Sequence, residues 1–243
     1  MPENPLVVLL HGAFAESASW TGVIARLRER EVDVLALANP LRSVVTDAQY
    51  VRDAVGDAGR PLVLVAHSYG GMVVTEAAAE GLGDVQGIVY AAAFAPDTGE
   101  SAVDLTGRFP GSTLGDALES TSLVDDLDDL WIRPDAYHAQ FAADVPEEDA
   151  YVAARTQRPI TDVALNQVLL AGTPAWKTVP SWFVFGSEDR NIPVAAHRWM
   201  AERAGSRATH EVAGASHAIA VSQPDQVART VLDAVAATRA VAA

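Results

Sequence analysis

Short apolar runs alternate with longer amphipathic stretches through the first 95 positions of the chain. Leu6–Leu10, Val32–Ala38, Leu62–Ala66 and Val85–Ala93 are near-continuous in Val, Leu, Ile and Ala. They lack the polar alternation of a half-exposed strand, so they predict strands covered on both faces, as in a parallel sheet. Between them, helices are predicted over about Ala18–Arg30, about Asp47–Ala58 and Gly70–Glu80, the last stopped by Gly81 and Gly83. The rhythm breaks between Pro96 and Pro180, then resumes. Strand Ser181–Phe185, helix Pro193–Ala204, strand Thr209–Val212 and helix Gln223–Ala237 close the chain.

Strand–helix repetition of this kind predicts a doubly wound, mostly parallel α/β sheet of about six core strands with right-handed crossovers. The interrupted stretch, about residues 97–179, reads as a helical cap or lid within a single domain spanning 1–243. Its acidic run Asp125-Asp126-Leu127-Asp128-Asp129 reads as a solvated helix face. No internal repeat or interdomain linker stands out.

Composition narrows the chemistry. A chain of 243 residues, 49% hydrophobic, can bury one substantial core. The absence of cysteine excludes disulfides, thiolate catalysis and Cys-ligated metals. A formal charge of −15 disfavours nucleic acid and anionic membranes, both of which need a basic footprint. The five-residue run Leu6–Leu10 is too short for a signal-peptide core or a membrane span, so a cytoplasmic protein is expected. No HExxH, EF-hand or Walker pattern occurs, and no cofactor or metal is expected. The partner expected is a small-molecule substrate; the oligomeric state is left open.

The most specific local signal is Ala66-His67-Ser68-Tyr69-Gly70-Gly71, where a buried strand runs directly into a helix. A sharp turn there lifts the serine above the C-terminal edge of the sheet, and small neighbours let the backbones approach. Ser68 is thus a candidate nucleophile. Acyl transfer also needs two amides aimed at the developing oxyanion. Tyr69, following the nucleophile, and Ala13, in His11-Gly12-Ala13-Phe14 after the first strand, are the candidates.

A serine hydroxyl needs a base, and the base needs an acid to hold its tautomer. Of six histidines, only His217 falls in a loop after the last strand, in Gly214-Ala215-Ser216-His217. His67 abuts Ser68 and should point away from it; His138 lies in the insertion, His197 in a helix and His210 at a strand start. His11 reads as structural. Two acids occupy loops at the right edge: Asp189, directly after strand Ser181–Phe185, and its rival Asp97.

Assembled, these segments resemble the α/β-hydrolase superfamily over essentially the whole length. The likeness is greatest to the branch of plant methylesterases and hydroxynitrile lyases, with many bacterial esterases. It rests on Leu10-His11-Gly12-Ala13, the Ser68 turn, Ser187-Glu188-Asp189-Arg190-Asn191-Ile192-Pro193 and Gly214-Ala215-Ser216-His217-Ala218. The resemblance implies an α/β-hydrolase fold, a triad of Ser68, Asp189 and His217, and an oxyanion hole of Ala13 and Tyr69. Hydroxynitrile lyases of this branch carry a lysine near the catalytic histidine and a threonine in the first-strand loop. Here the only lysine is Lys177, which argues against cyanohydrin cleavage. Ser68 argues against the aspartate-nucleophile dehalogenases and epoxide hydrolases.

The expected activity is hydrolysis of a small to medium apolar carboxylic ester or lactone. A perhydrolase, a C–C hydrolase, a cofactor-free oxygenase and a hydrolase-fold receptor remain alternatives. Phe14, Phe109, Trp131, Tyr137, Phe141 and Trp176 are expected to wall the pocket.

Overall fold

The computed structural model describes residues 4–79, 81–124 and 127–241, with side chains as far as Thr238. Six strands form the central sheet: β1 (Leu6–Leu10), β2 (Val34–Leu37), β3 (Leu62–Ser68), β4 (Val85–Ala93), then β8 (Ser181–Gly186) and β9 (Ala208–Val212). Their order is β2-β1-β3-β4-β8-β9, and every neighbouring pair is parallel. All residues of β1, β3 and β8 are buried, which is why their sequences carry no polar alternation. Tyr90 on β4 stacks on Phe183 of β8 at 4.7 Å, and its hydroxyl meets that of Thr75 at 2.8 Å.

Helices lie within a few residues of their expected ranges. The closing helix runs four residues past the expected Ala237, to Val241, and helix Val44–Val55 starts three residues before the expected Asp47. Ser43 caps it, its hydroxyl accepting the Thr46 amide at 3.1 Å, and Asp47 is left inside the first turn, buried. The expected helix to Glu80 is described as Gly70–Ala79; Glu80 lies outside the described residues.

The insertion departs from the expected helical cap. Between β4 and β8 short helices alternate with three strands, β5 (Leu118–Ser122), β6 (Asp128–Ile132) and β7 (Ile160–Thr161), paired antiparallel as a small second sheet. The polar sequence of β5 and the two aspartates that open β6 hide the strand pattern. Asp125 and Asp126 lie outside the described residues, but Asp129 does not sit on a solvated helix face. It is buried in β6 and paired with Arg42 Nη1 at 2.7 Å. No helix of the described residues is long and apolar enough to cross a membrane.

Candidate active site

The end of β3 turns into helix Gly70–Ala79 at Ser68, which takes φ +53°. That left-handed backbone costs a non-glycine residue about 1 kcal/mol and persists only where packing enforces it. Packing is tight: a Cβ on Gly70 would stand 2.7 Å from the Leu10 carbonyl oxygen, and one on Gly12 would stand 2.5 Å from Ser68 Cβ. Gly12 therefore seats the first-strand loop directly on the Ser68 turn. In that loop the Phe14 amide is taken by the Arg158 carbonyl at 3.0 Å. Among the described residues, the amides of Ala13 and Tyr69 donate to no protein acceptor. Both residues line one cavity with Ser68.

Asp189 Oδ2 accepts the His217 Nδ1–H at 2.7 Å, and Asp189 Oδ1 accepts the amides of Asn191 and Ile192 at 2.8 and 2.9 Å. With its Nδ1 proton so placed, a neutral His217 has its lone pair on Nε2, which is buried and, among the described residues, has no hydrogen-bond partner. The ring of His217 lies 4.7 Å from that of His67, the residue before Ser68. Burial alone would raise the Asp189 pKa. The neighbouring His217 and His197 overcome it and hold the carboxyl below the usual carboxylate range. Asp97 is elsewhere engaged, in an ion pair with Lys177 at 2.6 Å.

Three residues near this centre are given no role by the sequence motifs, although Asn191 lies within one of them. His197 is fully buried, stacked on Phe185 at 4.8 Å, and its Nε2–H donates to the same Asp189 Oδ2 at 3.0 Å. Asp47, also fully buried, accepts the Tyr69 hydroxyl at 3.0 Å, tying down the residue after Ser68. Burial raises the Asp47 pKa. Asn191 lines the Ser68 cavity, with its side chain held by Gln140 at 2.8 Å. One signal could have found the first two. Each is a polar residue on the apolar stripe of its helix: Asp47 with Val44, Ala48 and Val51, and His197 with Met200 and Ala201.

The cavity at Ser68 is about 280 Å³. Phe14 lines it; the other five aromatics expected as walls do not. Val103, Leu114, Leu118 and Leu165 from the insertion take their place, with Phe94. Tyr137 and Phe141 lie behind the site, the hydroxyl of Tyr137 donating to the Phe14 carbonyl at 2.8 Å and Phe141 set edge-on to His217 at 5.0 Å. Phe109 packs with Trp199, and Trp176 donates to the Pro96 carbonyl at 2.7 Å. Trp131 sits in β6, paired with Glu119. A large ring in an irregular insertion finds a buried face wherever one exists, so composition did not locate these walls. Among the described residues, no group of three or more His, Asp or Glu side chains is placed to hold a metal ion.

Two buried histidines make folding pH-dependent. Burial, with the charge of His217 second, lowers the His67 pKa to about 3, and its Nε2–H donates to the His217 carbonyl at 3.0 Å. Burial likewise lowers His11 to about 4, and its Nε2 accepts the Asn39 amide at 3.0 Å. Both stay neutral in the fold but bind a proton once unfolded, below about pH 6.5. Their stabilisation is therefore complete above pH 6.5 and is lost as pH falls toward 4 and then 3. Each should contribute on the order of 1.4 kcal/mol of destabilisation per pH unit in that window. Urea midpoints should hold nearly level from pH 7.5 to 6.5 and decline from there to 4.5; a series flat throughout would contradict the neutral buried state.

Comparison with known proteins agrees with this architecture. A model of the alpha/beta hydrolase family matches residues 7–230. Similar curated proteins include the alpha/beta hydrolase nvfD of Aspergillus novofumigatus, 24% identical over 95% of this chain and 96% of that protein. Esterase PIR7B of Oryza sativa subsp. japonica is 27% identical over 90% of this chain and 91% of its own. Among solved structures, polyneuridine aldehyde esterase superposes with a TM-score of 0.80 at 20% identity, over 95% of this chain and 99% of that one. The methylesterase MES16 from Arabidopsis gives 0.79 at 18%, over 96% and 99%.

Proposed function

The chain belongs to the alpha/beta hydrolase family, and from that premise we propose that it is a serine esterase cleaving small, neutral, apolar carboxylic esters through an acyl-enzyme on Ser68. The observation that carries the reading is the Asp189–His217 contact of 2.7 Å, which leaves His217 Nε2 without a hydrogen-bond partner among the described residues. Similarity to an esterase of Oryza sativa supports the reaction class.

In the proposed cycle His217 Nε2 takes the Ser68 proton as Oγ bonds to the ester carbonyl carbon. The carbonyl oxygen becomes an oxyanion, received by the two uncommitted amides of Ala13 and Tyr69. As the carbonyl reforms, the C–O bond to the alcohol breaks and His217 returns the proton to that oxygen. Water then repeats the sequence on the acyl-enzyme, releasing the acid and restoring Ser68. Asp189 stays ionised throughout, held by four N–H donors: two imidazoles and two amides.

Substrate class follows from the walls. Among the described residues, those lining the Ser68 cavity include no Asp, Glu, Lys, Arg or His, so a charged acyl group would be desolvated with no counter-charge. Aryl esters of butyric or hexanoic acid should therefore exceed the succinate half-ester in kcat/KM by at least about 100-fold. Equal turnover of neutral and charged acyl groups would refute this specificity. Turnover of no ester, lactone or thioester would refute the function.

A further inference from the structure

A second cavity, of about 320 Å³, is lined by the next residues of the first-strand loop and, among the described residues, shares no lining residue with the cavity at Ser68. The loop contributes to both: Ala13 and Phe14 line the Ser68 cavity, whereas Ala15, Glu16, Ala18 and Ser19 line the second. Its floor is Tyr137 and Phe141, stacked at 5.0 Å and 27°. Phe141 is the ring set edge-on to His217 at 5.0 Å, and its carbonyl accepts the amide of Ala218, the residue after His217, at 3.0 Å. This cavity therefore backs on both halves of the proposed machinery, the oxyanion loop and the base.

Its chemistry differs from that of the Ser68 cavity. Most of the wall is Ala, Val and aromatic, but Glu16 and Asp149 line it and, among the described residues, no basic residue does. Neither acid forms a salt bridge among the described residues. The charge of Glu16 is felt in the wall: after burial, it is what holds the Tyr137 hydroxyl above its ordinary pKa. At the mouth Val152 and Val221 are 58% and 42% exposed, an apolar rim that water covers poorly. The volume falls at the lower end of the range of small-molecule sites.

We propose that this cavity is a second ligand site, taking a small apolar organic cation whose ammonium group faces Glu16 and Asp149, and that its occupant bears on His217 through Phe141. An anion of the same size meets two unpaired carboxylates there and is excluded. The site itself goes beyond the esterase reading and is read out by binding, independently of Ser68 chemistry; its link to His217, read out by kcat, rests on that reading.

The test is calorimetric titration with 2-phenylethylammonium and, separately, with phenylacetate. The cation should bind saturably to the wild type and phenylacetate should not. Val103→Trp, which fills the Ser68 cavity, should leave the affinity within about two-fold; Ala153→Trp, which fills the second cavity, should weaken it at least about ten-fold. Because that tryptophan could disturb folding, the double variant Glu16→Gln, Asp149→Asn provides a second arm and should weaken binding at least about three-fold. Saturating cation should also change kcat on an aryl ester at least about two-fold in wild type but not in Ala153→Trp. The site is overturned if the cation fails to bind, if binding is lost in Val103→Trp but kept in Ala153→Trp, or if phenylacetate binds as well as the cation. Binding with kcat unchanged would overturn the link through Phe141.

Discussion

Ser68→Ala should lower kcat for an aryl ester by roughly 10⁴- to 10⁶-fold while leaving the fold intact. Stability should hardly change, because among the described residues the Ser68 hydroxyl makes no hydrogen bond, and alanine inherits the same backbone at φ +53°. The two uncommitted amides and the cavity remain in place. Any residual rate should therefore be that of a water attacking a bound ester, some 10³- to 10⁴-fold above solution. Parallel melting curves for the two proteins, with activity absent from only one, would separate chemistry from folding. A variant retaining a tenth of the wild-type kcat would remove Ser68 from the mechanism.

Asp189→Asn should cost about 10⁴-fold in kcat, for a reason visible in the hydrogen bonds. Oδ1 faces two amide donors and Oδ2 faces two imidazole donors, so all four surrounding groups present N–H. An asparagine can turn its oxygen to only one pair. With the oxygen on the Asn191 and Ile192 amides, its NH₂ meets His217 Nδ1, which must give up its proton to accept it. The proton then resides on Nε2, the atom that has to accept from Ser68, and the base is disabled. His197 meets the same NH₂ and must also change tautomer or lose its partner, so the variant should be less stable as well as slow. An Asp189→Asn enzyme within ten-fold of wild type would show that the carboxylate is not the group that orients His217.

How much was legible beforehand varied with the physics of each element. The central strands announced themselves because a doubly covered strand must be apolar on both faces, and β4 begins and ends where its run of Val, Ile and Ala does. The Ser68 turn was legible because its geometry needs small residues in a fixed order, and the loop carrying Asp189 follows β8, an equally plain apolar run; the loop carrying His217 follows β9, a half-exposed strand with Thr209, His210 and Glu211 and a weaker signature. The insertion was not legible. β6 starts with Asp128 and Asp129, and only the distant Arg42 makes a buried aspartate tolerable there. Contacts of that kind join residues 87 apart and leave no local trace. The same holds for the pocket walls, where leucines from the insertion took the place expected for aromatics, and for His197, whose partner is eight residues away across a loop.

The central claim is that Ser68 is a nucleophile activated by His217. Its most direct measurement is the mass of the protein after exposure to a fluorophosphonate, which phosphonylates an activated serine with loss of fluoride. Wild type should gain one adduct, located by peptide mapping to the segment containing Ser68, and Ser68→Ala should gain none. A wild type that stays unlabelled, or an adduct that persists in Ser68→Ala, would contradict the account.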